Sequence, residues 1–218
     1  MLKAIIFDFD GTLANTLPVC DAAFQKVFKT FDQRDLTSAE IRAMFGPSET
    51  GIIRQNLKHR DQEKAIDLYY STYMEHHADL VKESGEISSL LLHLKNQGLK
   101  IGIVTGKARR SLDISLQALR MEALFDAIIT GDDVDKPKPH PEGLHKALHL
   151  LNAASDEAVF IGDSDADIEA GQKANVYTIG VHWLPDFQTA MFSIEPDAVL
   201  KSVAEFLGLL ERGASFER

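Results

Sequence analysis

The sequence predicts an α/β protein, in which a doubly wound, Rossmann-like parallel sheet carries a small all-helical domain inserted after its first strand. Short apolar runs alternate with amphipathic helical segments from residue 82 onward, and strands that alternate with helices indicate a parallel sheet with helices on both faces. Residues 16–81 show helical spacing and no strand pattern. The 218 residues have room for such a core with one small insertion.

The first apolar run covers residues 4–7 and has the composition of a strand buried on both faces of a parallel sheet. Asp8 and Asp10 follow it, before Gly11 ends the strand, and so lie at the carboxyl edge where open α/β sheets bind ligands. Two carboxylates this close repel unless a proton or a cation lies between them, and oxygen ligands suit Mg²⁺. Taken alone, the pair fits solvated aspartates at a strand end equally well.

The inserted segment is predicted to form four helices. Apolar residues recur three and four positions apart after Thr16, and Thr37-Ser-Ala-Glu40 has the pattern of a capping box. Gly46 and Pro47 end the helix that begins there. The predicted helices cover residues 17–30, 37–45, 48–57 and 61–79.

The rest of the chain repeats a strand and a helix in turn. Gly98 ends one helix just before the second strand, and Pro141 stands at or near the start of a later helix. The predicted strands cover residues 100–105, 125–130, 158–162, 176–180 and 198–200. The predicted helices cover residues 87–97, 107–119, 142–151, 165–174 and 202–210.

Thr105 and Gly106 end the second strand just before a helix begins. A hydroxyl and exposed backbone amides at such a position favour a phosphate. The alternative is a threonine that only caps the helix. The sequence therefore predicts either an anion site or a helix cap at this point.

Composition excludes several classes of partner. The formal net charge of -10 argues against nucleic acid or an anionic membrane surface, and no stretch approaches the roughly 18 apolar residues of a membrane span. The single cysteine, Cys20, cannot form a disulfide within the chain, which gives no support for secretion. We expect a cytoplasmic protein that gathers positive charge locally to bind an anion.

Four motifs in order carry a resemblance to a known family. Asp8-Phe-Asp-Gly-Thr-Leu13 is followed by Thr105, by a Lys-Pro-x-Pro lysine and by Gly162-Asp-Ser-Asp-Ala-Asp167. This pattern resembles the phosphatase branch of the haloacid dehalogenase superfamily, and in particular its phosphoglycolate phosphatase and pyrophosphatase groups. The resemblance implies a core domain of residues 1–15 and 82–218, and a helical cap domain of residues 16–81 that closes over the site.

The resemblance also implies the chemistry. Asp8 looks like the nucleophile that forms an aspartyl-phosphate, and Asp10 looks like the acid and base that protonates the leaving group and then activates water. A Mg²⁺ ion is expected on the Asp8 side chain, the Asp10 backbone carbonyl and Asp163. Asp167 is expected either to reach this metal through water or to orient the catalytic lysine.

Two lysines, Lys136 and Lys138, each head a Lys-Pro-x-Pro. Lys138 matches the family pattern better, because an acidic residue and a helix follow it, and we take it as the catalytic lysine. The same resemblance assigns Gly11, Thr105 and Gly106 to binding of the substrate.

The implied function is a Mg²⁺-dependent phosphatase for a small phosphorylated metabolite, either a phosphoglycolate-like phosphomonoester or pyrophosphate, in a monomer or a homodimer. Sugar-phosphate mutases share the core, but they use a cap histidine where this chain has Cys20. A non-enzymatic, receiver-like signalling domain also combines acidic strand ends with threonine and lysine. Receivers, however, have no helical block after the first strand.

Overall fold

The computed structural model describes residues 2–213 and 216, and its centre is a six-stranded parallel sheet. The strands are β1 (Ala4–Phe7), β2 (Lys100–Val104), β3 (Ala127–Ile129), β4 (Ala158–Gly162), β5 (Tyr177–Val181) and β6 (Ala198–Leu200). Their order across the sheet is β3-β2-β1-β4-β5-β6. The predicted doubly wound parallel sheet is confirmed.

Helices cover both faces of the sheet and fill the insertion. They are α1 (Leu17–Asp32), α2 (Ser38–Arg42), α3 (Glu49–Asn56), α4 (Gln62–Leu80), α5 (Gly85–Asn96), α6 (Arg109–Ala118), α7 (Glu142–Leu151), α8 (Asp165–Lys173) and α9 (Val203–Glu211). Short 3-10 helices lie at Gly131–Asp133 and Ser155–Glu157. In the described part of the chain, no helix has both the length and the apolar character needed to cross a membrane.

Alternate side chains of β1 pack into two separate hydrophobic cores. Ile5 and Phe7 belong to the larger core, whereas Ala4 and Ile6 belong to the smaller one. All four side chains are fully buried. This is the burial that a continuous apolar run in a central strand predicts.

The helical insertion is held together mainly by α1 and α4. The rings of Phe24 and Tyr69 pack at a centroid distance of 4.6 Å, and the predicted capping box of Thr37 and Glu40 is present at the start of α2. Residues 8–99 are all described and contain no strand. The exact domain boundaries, residues 16 and 81, stay a prediction.

Several element ends differ by a few residues from the predicted ends, for local reasons. The third strand is shorter than predicted because its pairing with β2 begins only at Ala127. Helix α6 begins at Arg109 and not at residue 107, because the Lys107 N–H donates back to the Thr105 hydroxyl at 3.2 Å. That bond turns the chain before the helix starts.

The strand order fixes where a ligand fits. β1 lies between β2 and β4, so the sequence order of the strands reverses at β1. Ligands bind at such a switch point, beyond the carboxyl ends of the strands. Asp8, Thr105 and Asp163 follow β1, β2 and β4 directly and therefore meet at this edge.

Candidate active site

Asp8 lies at the end of β1, where its carboxylate is almost wholly buried. Its backbone N–H donates to the Ile161 carbonyl at 2.8 Å, which continues the pairing of β1 with β4. Burial, which the neighbouring acids Asp167 and Asp10 reinforce, raises the pKa of Asp8 to about 7. A carboxylate in this position needs a cation beside it to stay ionised.

Lys138 supplies one such cation. Its ammonium group donates to Asp8 Oδ1 at 2.8 Å, to Asp167 Oδ1 at 2.5 Å and to the Val104 carbonyl at 3.2 Å. Burial opposes this charge, but the Asp167 and Asp8 carboxylates outweigh it and raise the lysine pKa. Lys136 is exposed. Of the two candidate lysines, Lys138 is therefore the one that reaches Asp8.

Asp163 and Asp167 complete a buried group of acids with Asp8. One carboxylate oxygen from each lies within 4.8 Å of the other two, a spacing that suits a metal ion. Burial together with the charges of Asp8 and Asp167 raises the pKa of Asp163. When all three are ionised, these carboxylates exceed the single ammonium of Lys138 by two negative charges, which a divalent cation would neutralise.

Gln188 lies over the same acids. Its backbone N–H donates to Asp163 Oδ2 at 2.6 Å. Its side-chain amide N lies 3.3 Å from Asp163 Oδ1 and 3.5 Å from the Asp10 carbonyl. An N–H donor thus faces two of the oxygens that the sequence predicts to hold Mg²⁺, which marks these oxygens as a place for positive charge. Sequence analysis missed Gln188 because its loop follows β5 without any motif.

Gly11 is required here for steric reasons. Its φ angle is +80°, and a Cβ atom at this position would overlap the Asp163 carboxylate. A larger residue would therefore be unfavourable for two reasons, the positive φ angle and the clash of its Cβ atom with Asp163. Gly11 lets the loop after β1 pass directly beside the acidic group.

Thr105 and Gly106 line the cavity at the end of β2. The N-cap of α6 is Ala108, so Thr105 does not cap this helix. Its hydroxyl oxygen accepts the Lys107 N–H instead. The helix-cap alternative is therefore excluded, and accepting this bond does not use the hydroxyl proton.

Lys107 is a second buried cation that sequence analysis did not identify. Its ammonium lies 3.1 Å from Asp10 Oδ1, 3.2 Å from Glu49 Oε1 and 3.3 Å from Cys20 Sγ. Burial opposes the charge, but Asp10 and Glu49 are among the neighbours that raise the pKa of Lys107. Burial also raises the pKa of Cys20 to about 12, so Cys20 remains a neutral thiol.

Glu49 comes from the helical insertion and was also missed. Besides Lys107, it accepts hydrogen bonds from the Ala108 N–H and, at 2.6 Å, from the Ser111 hydroxyl. A carboxylate at the first turn of α6 is favoured by the helix dipole. The sequence places Glu49 just after the helix end at Gly46-Pro47. It does not show which residue the Glu49 carboxylate pairs with.

These groups surround a cavity of about 300 Å³. The core contributes Asp8, Asp10, Thr105 and Lys138, and the insertion contributes an apolar wall. This apolar wall consists of Phe24, Phe45 and Ile52. Asp10 faces this cavity with 17% of its side chain exposed, and it accepts hydrogen bonds from Thr16 and Lys107. All predicted site residues therefore come together at one edge of the sheet.

Comparison with known proteins identifies the family of this chain. The family model described as haloacid dehalogenase-like hydrolase matches residues 5–181. Pyrophosphatase PpaX of Bacillus cereus (strain B4264) is 34% identical over 209 residues, which are 96% of each chain.

Two solved structures share the fold. A predicted phosphoglycolate phosphatase from Haemophilus somnus 129pt has a TM-score of 0.83 at 21% identity, over 96% of this chain and 98% of that one. A putative beta-phosphoglucomutase from Thermotoga maritima has a TM-score of 0.74 at 26% identity, over 97% and 99%. On the extent of the family match and the similarity to the Bacillus protein, this chain belongs to the haloacid dehalogenase-like hydrolase family.

Proposed function

We propose that this chain is a Mg²⁺-dependent phosphatase that hydrolyses a small phosphorylated metabolite through an aspartyl-phosphate. The relatives suggest two candidate substrates, a phosphoglycolate-like phosphomonoester and pyrophosphate. The observation that carries the proposal is the Asp8 carboxylate, held by Lys138 at 2.8 Å in a cavity that also exposes Asp10.

Asp8 is the proposed nucleophile. One of its oxygens forms a bond to phosphorus while the bond from phosphorus to the leaving oxygen breaks. The Lys138 ammonium offsets charge on Asp8 and on the phosphoryl oxygens as the two anions approach. Asp167 holds Lys138 in place through the 2.5 Å contact, so its role is to position the lysine.

Asp10 is the proposed acid and base. It gives its proton to the departing oxygen, and it later takes a proton from water, which then attacks phosphorus and releases Asp8 and phosphate. Thr16 and Lys107 hold its side chain toward the cavity. Both proton transfers therefore use one carboxylate in a fixed position.

The acids present fit a divalent cation. Asp8, the Asp10 carbonyl and Asp163 are the proposed ligands, because their oxygens offer the hard donors that Mg²⁺ prefers. When bound, such an ion neutralises the phosphate and aligns it for in-line attack. Gln188 keeps the Asp163 carboxylate oriented through its backbone N–H.

The phosphoryl group is proposed to bind between Gly11, the Thr105 hydroxyl and the Gly106 amide. Support comes from the buried position of Thr105 and from its hydroxyl, which accepts the Lys107 N–H without using the hydroxyl proton. Hydrogen bonds to an anion from such donors are stronger than those between neutral groups.

The test is phosphate release by wild type and by Asp8→Asn. We expect release from pyrophosphate, phosphoglycolate, sugar phosphates or nucleotides with Mg²⁺, and none from Asp8→Asn, because the amide has nearly the same shape but forms no acyl phosphate. Circular dichroism should show an unchanged fold. Multiple turnover by Asp8→Asn above background would remove Asp8 from the nucleophile role.

A mutase is the second candidate, favoured by the similarity to the putative beta-phosphoglucomutase. Cys20, a neutral thiol, stands where those enzymes use histidine. Conversion of a hexose 1-phosphate to its 6-phosphate without phosphate release would favour the mutase. A phosphoaspartate that lasts for minutes after acetyl phosphate treatment would favour a receiver-like domain.

A further inference from the structure

The loop between β5 and β6 covers the side of the site where the metal is proposed to bind. It consists of residues 182–197. The Trp183 indole N–H donates to the Thr12 carbonyl at 2.7 Å, and the Asn15 side-chain amide donates to Asp186 at 2.9 Å. The loop is therefore fastened to the segment that follows β1.

The backbone at Gln188 is held to β4 as well. The Gln188 N–H donates to Asp163 Oδ2 at 2.6 Å, and the Thr189 N–H donates to the Asp163 carbonyl at 3.1 Å. The His182 ring donates from Nε2 to the Thr189 carbonyl at 2.8 Å and packs against two phenylalanine rings of the same loop. The Gln188 backbone is therefore fixed beside Asp163, and its side chain is the part that can turn.

The side-chain amide of Gln188 makes longer contacts than its backbone. The amide nitrogen lies 3.3 Å from Asp163 Oδ1 and 3.5 Å from the Asp10 carbonyl oxygen. Both distances exceed the usual length of about 2.9–3.0 Å for an N–H···O bond. The two acceptors are also two of the oxygens on which Mg²⁺ is proposed to bind. A cation on these oxygens would face the positive end of the amide, and the two would repel each other.

A glutamine amide can remove this repulsion while its backbone stays in place. Its oxygen accepts hydrogen bonds and its nitrogen donates them. Rotation about the last side-chain bond exchanges the two atoms at little cost, because this torsion has a broad, roughly two-fold preference. Only two long hydrogen bonds are given up. Oxygen is the ligand atom that Mg²⁺ prefers, so the turned amide suits a bound cation.

We propose that Gln188 is a positioning residue for the proposed Mg²⁺ ion, toward which it turns its side-chain oxygen when the ion binds. The oxygen then takes the place that the amide nitrogen has beside Asp163 and the Asp10 carbonyl. This inference rests on the proposed Mg²⁺-dependent function. It adds to the metal site a residue that lies outside the sequence motifs.

Calorimetric titration of the full chain with MgCl₂ tests the inference. Gln188→Met keeps an unbranched side chain of similar length, but it has neither the amide oxygen nor the amide N–H, and the backbone N–H to Asp163 remains. We expect Gln188→Met to bind Mg²⁺ about tenfold more weakly than wild type, as is typical when a group that supports a metal ligand is lost. Unchanged or tighter binding would overturn the inference, because the amide would then be neutral toward the ion or compete with it.

Gln188→Glu distinguishes the oxygen of the amide from its N–H group. Glutamate has the same length and keeps an oxygen, but its carboxylate cannot donate. We expect Gln188→Glu to bind Mg²⁺ at least as tightly as wild type, because the oxygen is retained and the added charge attracts the ion. Equal weakening in Gln188→Glu and Gln188→Met would mean that the N–H group matters, and the inference would be wrong.

Gln172→Met is the matched control for loosening of the loop. Gln172 also holds this loop through a side-chain amide, which donates to the Glu195 carbonyl at 2.8 Å, but it does so from the last turn of α8. Its Mg²⁺ affinity should equal that of wild type. A loss as large as that of Gln188→Met would assign the effect to the loop as a whole and would overturn the inference.

Failure of the inference differs from failure of the proposed function. If wild type binds no Mg²⁺, the proposed metal site fails and the inference fails with it. If wild type binds Mg²⁺ and Gln188→Met binds it equally well, only the role of Gln188 is wrong. Circular dichroism of each variant should match that of wild type.

Discussion

Lys107 and Lys138 divide the acidic side chains of the cavity into two groups. The Lys138 ammonium pairs with Asp8 and Asp167, whereas the Lys107 ammonium pairs with Asp10 and Glu49. The two aspartates of the first motif therefore have different neighbours, although only Phe9 separates them in the chain. At the residue scale, this separation supports different roles for Asp8 and Asp10.

Asp10→Asn should separate the two roles of that residue. The backbone carbonyl remains, so Mg²⁺ affinity should be kept, while both proton transfers are lost. Turnover of an alkyl phosphate should fall by roughly a hundredfold to ten-thousandfold. An aryl phosphate with an acidic phenol needs little protonation, so it should form phosphoenzyme and then stall. Rapid-quench trapping and calorimetric Mg²⁺ titration provide the measurements.

Two results would contradict this assignment. One is an equal slowing of both substrates with no trapped phosphoenzyme. The other is loss of Mg²⁺ binding together with the side chain.

At the scale of elements, the loops after β2 and β3 support each other. The Gly131 N–H donates to the Lys107 carbonyl at 2.9 Å. A Cβ atom on Gly131 would overlap the Gly106 carbonyl and would lie 3.0 Å from Ser48 Cβ in the insertion. The loop that carries Thr105 and Gly106 is therefore held against β3 on one side and near the insertion on the other.

Gly131→Ala should thus displace the proposed phosphate-binding loop. We expect KM for every phosphorylated substrate to rise, and stability to fall by about 1–3 kcal/mol, as is usual for overpacking. Gly85→Ala is the control, because nothing lies within 4 Å of the Cβ atom it adds. Steady-state kinetics and urea unfolding measure both effects. Unchanged KM in Gly131→Ala would show that the loop tolerates the shift.

At the scale of the whole molecule, the sheet brings acids from distant parts of the chain into one buried group. Lys138 alone does not neutralise three carboxylates. Without a further cation, those of Asp8, Asp163 and Asp167 would repel one another. Without a metal, this site therefore lowers the free energy of unfolding, as expected where catalysis and stability compete.

Metal binding should consequently affect both activity and stability. A chelator should abolish phosphate release and Mg²⁺ should restore it. Ca²⁺ should restore little, because its longer bonds suit in-line transfer poorly. By differential scanning calorimetry at pH 8, Mg²⁺ should raise the Tm of wild type by at least a few degrees, since about 1 kcal/mol corresponds to about 2–4 °C at this size.

Asp163→Asn tests the charge argument directly. Without metal, this variant should melt at a higher temperature than wild type, because one of three buried acids is neutral. Added Mg²⁺ should then raise its Tm little. Full activity in excess chelator, or an equal gain in Tm from Mg²⁺ in the variant, would contradict the assignment of the metal site.

The sequence by itself determined the sheet, the helical insertion and the placing of Asp8, Asp10, Thr105 and Asp163 at one edge, because hydrophobic periodicity and the carboxyl ends of parallel strands are local properties of the chain. Membership of the family followed from the same motifs. The proposed roles of these residues stay predictions, although all of them line or adjoin one cavity.

Only the tertiary structure decided which charges meet. Lys138 and not Lys136 reaches Asp8, and Glu49 pairs with Lys107 across 58 positions of the chain. Gln188 reaches Asp163 from a loop without a motif. Such pairs depend on how the insertion and the late loop pack onto the sheet, and a side chain's partner across that distance leaves no periodic pattern in the sequence. Which charges lie next to Asp8 and Asp10 is therefore a property of the folded molecule alone.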